Sequence, residues 1–240
     1  MVRITTLLAT LFLTACAFVD YDNAAEGEFR GTLLVVWVGG SPDAKLGDGQ
    51  FIYVPLGDQA LAFYRGADAG ASPGSEVIRP EAFYTDGGSV PRSVQHIRGF
   101  NAWGYGPAYV IHDWLFVARE CLNDNAGTDA MKQLAQVTFA ESARIMAETI
   151  KSLEDADDVS GPVISSVTAG PVSRRLWTAT GECEAQKLSE AHQKLVRDIQ
   201  RQEQVRGGDG LLNKLMRSSP QEPLQVGNEV VVAVARAQFN

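Results

Sequence analysis

Two adjacent ionisable residues, His112 and Asp113, interrupt a run that is otherwise apolar or aromatic from Ala108 to Ala118. A helix that is apolar all round is expected to be buried. Two titratable groups in its middle cost several kcal/mol, about, unless each finds a partner or faces a cavity. Neighbouring helical positions point about 100° apart, so His112 and Asp113 must look to different surroundings. One group is then free to handle a proton while the other holds a cation or a backbone amide. Two readings of the pair stand: a functional site, or a structural pair in which the carboxylate caps a loop and the imidazole bonds a carbonyl.

A second segment, Thr85-Asp86-Gly87-Gly88-Ser89-Val90-Pro91-Arg92, brings two glycines that let the backbone approach a ligand closely. Asp86 and Ser89 can bond local amides. By itself this is an ordinary turn; beside a buried His-Asp helix it could offer carbonyls to calcium or amides to an oxyanion. The other histidines, His96 and His192, do not make a multi-histidine zinc site with His112. His192 reads as a packed or surface residue, and His96 is near Arg92 and Arg98 in sequence only. Asn123-Asp124-Asn125-Ala126-Gly127 misses the EF-hand spacing by one residue and reads as a helix-connecting turn. Trp103, Tyr105 and Trp114 read as a buried aromatic cluster before they read as the wall of a cleft.

The elements that must position these residues are of two kinds. From Phe29 to Arg79, short runs rich in β-branched and aromatic residues (31–38, 50–56, 60–65, 76–79) alternate with Gly, Pro, Asp and Ser clusters, the pattern of an antiparallel sheet. After Pro91 the signal turns helical. Pro107 suits the first turn of a helix over 108–119, and Thr128 suits the N-cap of a long helix reaching Leu153. A further helix is expected over 182–204, its Leu188, Ala191, Leu195 and Ile199 stripe packing on its own domain, and 229–235 reads as a late strand. The expected fold is therefore α+β: a small antiparallel sheet followed by a helical hairpin, with a further C-terminal helix. The division is a signal peptide 1–15, a tether 16–29, a core 30–153, a linker or long loop 154–175 and a C-terminal helical extension 176–240.

At the N-terminus, Arg3 precedes the apolar run Ile4–Leu13 and the small residues leading to Cys16. That run is too short to span a bilayer, which needs ~20 apolar residues, and suits a signal-peptide core. Leu13-Thr14-Ala15-Cys16 resembles the lipobox of bacterial lipoproteins, which implies lipid on Cys16 and a membrane as partner. By resemblance to enteric lipoproteins, Ala17 after the cysteine implies the outer membrane. The remaining cysteines, Cys121 and Cys183, either pair or stay as two buried thiols. With 21 Lys+Arg against 29 Asp+Glu and no dense basic run, nucleic-acid binding is not expected.

The 85–92 motif, followed by Pro107-Ala108 and by His112-Asp113-Trp114-Leu115-Phe116, resembles the signature of domain-of-unknown-function family 1353, found in bacteria and tailed phages. The likeness covers roughly residues 51–146, and the family places an Asp early in the following helix, where Asp129 stands. A more distant likeness is to secreted calcium-dependent phospholipases of the A-two type. It implies that Asp86, Gly87, Gly88 and Asp113 hold calcium, and that His112 acts as general base with Asp129 as orienter. Gly88 stands where those enzymes have a cysteine. In a simple hairpin the residue level with His112 is about Thr138, so Glu141 and Ser142 compete with Asp129 for the imidazole. Two functions follow: an envelope hydrolase of ester or amide bonds in lipid or cell wall, or a non-catalytic, phage-related accessory or binding lipoprotein.

Overall fold

The computed structural model describes residues 19–39, 49–86, 105–153, 168–203, 214–215, 217–219, 222–227 and 229–240. Cys16, Gly87, Gly88, Ser89, His96 and Trp103 lie outside them. The fold is α+β. Its sheet is antiparallel, in the order β4-β3-β1-β2-β5, built from β1 (Glu28–Gly39), β2 (Gln50–Tyr53), β3 (Ala62–Tyr64), β4 (Val77–Ile78) and β5 (Phe83–Thr85).

Strand β1 explains why Leu33 to Val38 is a continuous apolar run and not an alternating one. Leu33 and Val35 face helix α1 (Gly106–Asn123), where Ile111, Trp114 and Leu115 complete the larger core. Leu34, Val36 and Val38 face the other way, onto Leu195, Val196 and Ile199 of the late helix. A strand covered on both faces needs apolar side chains on both.

The segment expected as one helix over 128–153 is two. Thr128 caps α2 (Asp129–Gln133), and Thr138 caps α3 (Phe139–Lys151), its hydroxyl accepting the Glu141 amide at 3.1 Å. The second threonine offers the chain a fresh start that competes with helix continuation. The same device divides the helix expected over 182–204. After α4 (Pro171–Trp177) the chain forms α5 (Cys183–Gln186), turns extended at Lys187, and restarts as α6 (Glu190–Glu203), where the Ser189 hydroxyl accepts the His192 amide at 3.2 Å.

The end of the C-terminal segment is built into the sheet, where the strand expected over 229–235 forms. Following β6 (Leu224–Val226), strand β7 (Glu229–Phe239) pairs with β1 from Gly31↔Phe239 to Gly39↔Val230, with a bulge opposite Val35/Val36. A disulfide joins Cys121 of α1 to Cys183 of α5 across a sequence separation of 62. Beside it, the Asn123-Asp124 turn latches the same segment: Asn123 donates to the Trp177 and Ala179 carbonyls, and Asp124 accepts from the Gly181 and Cys183 amides. That turn is thus a structural clasp.

Helix α3 is fixed to the sheet by buried charge. Arg65, just after β3, donates to Glu148 at 2.7 and 2.9 Å and to Glu141 at 2.6 Å, with side-chain exposures of only 1%, 0% and 4%. Ser72 and Ser75 donate to Glu141 as well. Hydrogen bonds from Ser72 and the nearby guanidinium hold Glu141 down to about 2 against the opposing effect of burial.

Candidate functional site

The site forms where the end of β5 meets the first half of α1. Strand β5 is placed by its register on β2, with Thr85 opposite Phe51 and Phe83 opposite Tyr53. Phe83 packs on Trp114 at 5.6 Å between centroids, which seats α1 against the strand. One residue away on the helix, Asp113 receives the Thr85 hydroxyl at 2.6 Å.

Asp113 also accepts the Asp86 backbone amide and makes a side-chain hydrogen bond with the Asp86 carboxyl. Burial first, and the Asp86 charge second, push the Asp113 carboxyl well above the usual carboxylate range. Asp86 itself is exposed, so one end of the pair reaches solvent while the other sits against the helix.

His112 lies beside this pair but makes no hydrogen bond to it among the described residues. Its ring packs on Phe116 at 4.8 Å, and Phe116 in turn meets Trp177 edge-on at 5.1 Å. The residue keeps some surface, yet Nε2 is sealed from solvent and has no hydrogen-bond partner among the described residues. Burial lowers the imidazole to about 4, so it is neutral near pH 7. Tyr109, 2% exposed, has the same character: its hydroxyl is buried and has no hydrogen-bond partner among the described residues, and burial followed by the Asp113 charge raises it to about 12. Residues three and four apart share a helix face, which places Tyr109 with His112 and Asp113. That spacing was readable from the sequence, as was the threonine before Asp86, but neither carries a charge that draws attention.

The residues expected on the second helix go elsewhere. Asp129 is 97% exposed and pairs with Lys132 at 2.9 Å, so it does not orient the imidazole. Glu141 is committed to Arg65, Ser142 donates to the Phe139 carbonyl at 2.8 Å, and Thr138 caps α3. His192 is a core residue, 8% exposed. Tyr84 accepts the Ser189 amide at 3.0 Å, which leaves its hydroxyl proton for His192 Nδ1 at 2.8 Å. Among the described residues, no group of three or more His, Cys, Asp or Glu side chains could hold a metal. Asp86 and Asp113 are brought together as a pair, with Thr85 as a third oxygen.

Residues 67–163 match the model of the family described as Protein of unknown function (DUF1353). The match contains every residue of the β5–α1 cluster, and the Glu141 and Glu148 ends of the buried charge network. Strands β1, β2 and β7 lie outside it. No curated protein matches, and no solved structure matches.

Proposed function

We propose that this chain is a bacterial envelope lipoprotein whose β5–α1 cluster hydrolyses an ester or amide bond in lipid or cell wall. The observation that carries the reading is the His112 Nε2: a neutral, buried imidazole nitrogen with no hydrogen-bond partner among the described residues, one residue from the Asp113 carboxyl that burial and the Asp86 charge hold above the usual range. A structural His-Asp pair satisfies its polar atoms, because an unmet buried group costs about 1–3 kcal/mol. Here that cost is incurred at both His112 and Tyr109, which supports a site that meets a ligand.

In this reading substrate binding admits water to Nε2 and His112 takes a proton from it, a role that requires the imidazole to be neutral at working pH. Tyr109, whose phenol stays protonated, donates a hydrogen bond to a polar atom of the substrate. The carboxyl pair fits a hard cation, since two oxygen-rich groups in contact need either a proton or a metal between them. Asp86 and Asp113 would hold it, with Gly87 and Gly88 as candidate carbonyl donors. Calcium bound there would supply Lewis-acid polarisation of the scissile carbonyl.

Export and lipid attachment at Cys16 rest on the Leu13-Thr14-Ala15-Cys16 motif, and export alone is supported by the Cys121–Cys183 disulfide, since such bonds persist in oxidising compartments. Among the described residues no helix is long and apolar enough to cross a membrane. A lipid anchor facing the periplasm, from the outer membrane by the Ala17 criterion, would hold the site beside its substrate.

Turnover of glycerolipid esters and of purified cell wall by the wild-type chain and by His112→Ala tests the proposal. A general base contributes about 10²–10⁴-fold, so a loss of that size at unchanged melting temperature is expected. No turnover of either substrate class by the wild type would instead leave a non-catalytic accessory or binding lipoprotein.

A further inference from the structure

A groove of about 340 Å³ lies about half a turn around α1 from His112, at 100° per residue. Its floor is apolar: Phe83, Trp114, Val117, Cys121, Met131 and Val196. Its volume is at the low end of the ~300–1,000 Å³ of small-molecule sites, so its occupant is small.

The polar groups at its rim define what that occupant must carry. Thr128 donates to Glu81 at 2.7 Å, Gln186 to Glu120 at 2.9 Å and Gln193 to the Leu188 carbonyl at 2.8 Å. Lys187 is paired with Glu184 at 2.5 Å. These donors are therefore occupied. Arg197 is the exception: it lines the groove, is exposed, and makes no hydrogen bond among the described residues. Its charge also acts on the neighbouring Asp198, which is bonded to Lys194 at 2.7 Å and to Arg201 at 3.5 Å.

We infer that the groove is a binding site for a small amphipathic carboxylate, its alkyl body on the Phe83–Trp114 floor and its anionic head on Arg197. Apolar walls with one cation that makes no hydrogen bond among the described residues fit one apolar body with one negative head; a polyol or a zwitterion would leave polar atoms unpaired over the floor. A guanidinium is suited to a carboxylate, which it can grip through two parallel N–H bonds. The site does not depend on the hydrolase reading, because none of its lining residues belongs to the His112 cluster.

Calorimetric titration of the full chain carrying Cys16→Ser, which has no lipid, tests this with sodium octanoate as probe and octanol as its neutral counterpart. Saturable one-to-one octanoate binding is expected, weakened about tenfold by Arg197→Gln, as befits one charge-assisted contact. Octanol should bind wild type about tenfold more weakly than octanoate, and Ala82→Phe, which fills the groove, should remove binding. Arg197 is exposed, so its variant reads binding even if the groove-filling one unfolds. No saturation with octanoate, or equal affinity in Arg197→Gln, overturns the assignment; octanol binding as tightly as octanoate overturns the role of the head group.

Discussion

Replacing His112 with Phe tests whether the imidazole is held neutral by burial. The variant keeps an aromatic ring against Phe116 and removes the unpartnered Nε2. The folded imidazole titrates near 4, against an ordinary value of 6.5. Between those values the unfolded chain binds the proton and the folded chain does not, so wild-type stability falls as pH drops. At 1.36 kcal/mol per unit, His112 costs the fold about 2 kcal/mol between pH 7 and pH 5, and about 3 kcal/mol by pH 4. Urea unfolding followed by tryptophan fluorescence, with a chelator present, gives the stability of both proteins at pH 7, 6 and 5. Carboxylate contributions are common to the two and cancel in the difference. The variant should gain on wild type by about 2 kcal/mol across that range. Parallel pH profiles would refute a buried, neutral His112 and with it the role of general base.

Three further outcomes are expected. Cys121→Ser with Cys183→Ser opens a loop of separation 62 and should lower stability by about 4 kcal/mol on chain-entropy grounds, read from denaturant midpoints; a loss below about 1 kcal/mol would contradict the clasp. Glu148→Gln leaves Arg65 buried beside a neutral amide and should cost roughly 3–5 kcal/mol, checked by calorimetric melting, where an unchanged transition would show the network to be dispensable. Asp129→Ala, at a surface position, should change stability by no more than about 0.5 kcal/mol and leave turnover intact; a loss matching that of His112→Ala would restore Asp129 as the orienting carboxylate.

The α+β class was legible because β1, β2 and α1 carry strong local patterns. The run from Leu33 to Val38 announced a strand, and Pro107 announced a helix start. Strands β5 and β6 were not legible: each is three residues long, too short for a period to register, and their pairing comes from register on β2 and β7. The split at Thr138 was written in a residue type that also fits a helix interior, and only tertiary packing chose between them. Two cysteines in a sequence read as exported left pairing and free thiols equally open, since pairing depends on a distance no spacing reveals.

The candidate site divides in the same way. His112 and Asp113 stood out because charge in an apolar helix is costly wherever the helix packs. Asp86 was reached through its glycine turn, but its contact with Asp113 required β5 to exist. The partner assigned to the imidazole failed because the hairpin is broken: α2 turns Asp129 outward, and α3 gives Glu141 to Arg65. That arginine lies more than seventy residues from both glutamates, beyond any local rule.

The pairing of Asp86 with Asp113 as a cation site beside a neutral histidine is tested most directly by a calorimetric calcium titration of the full chain carrying Cys16→Ser, with and without Asp113→Asn. Saturable binding in the first protein and none in the second, with both melting cooperatively, is the expected result. Absence of binding to the chain with Asp113 intact, or binding unchanged by Asp113→Asn, would contradict it and leave the carboxyl pair as a contact that joins β5 to α1.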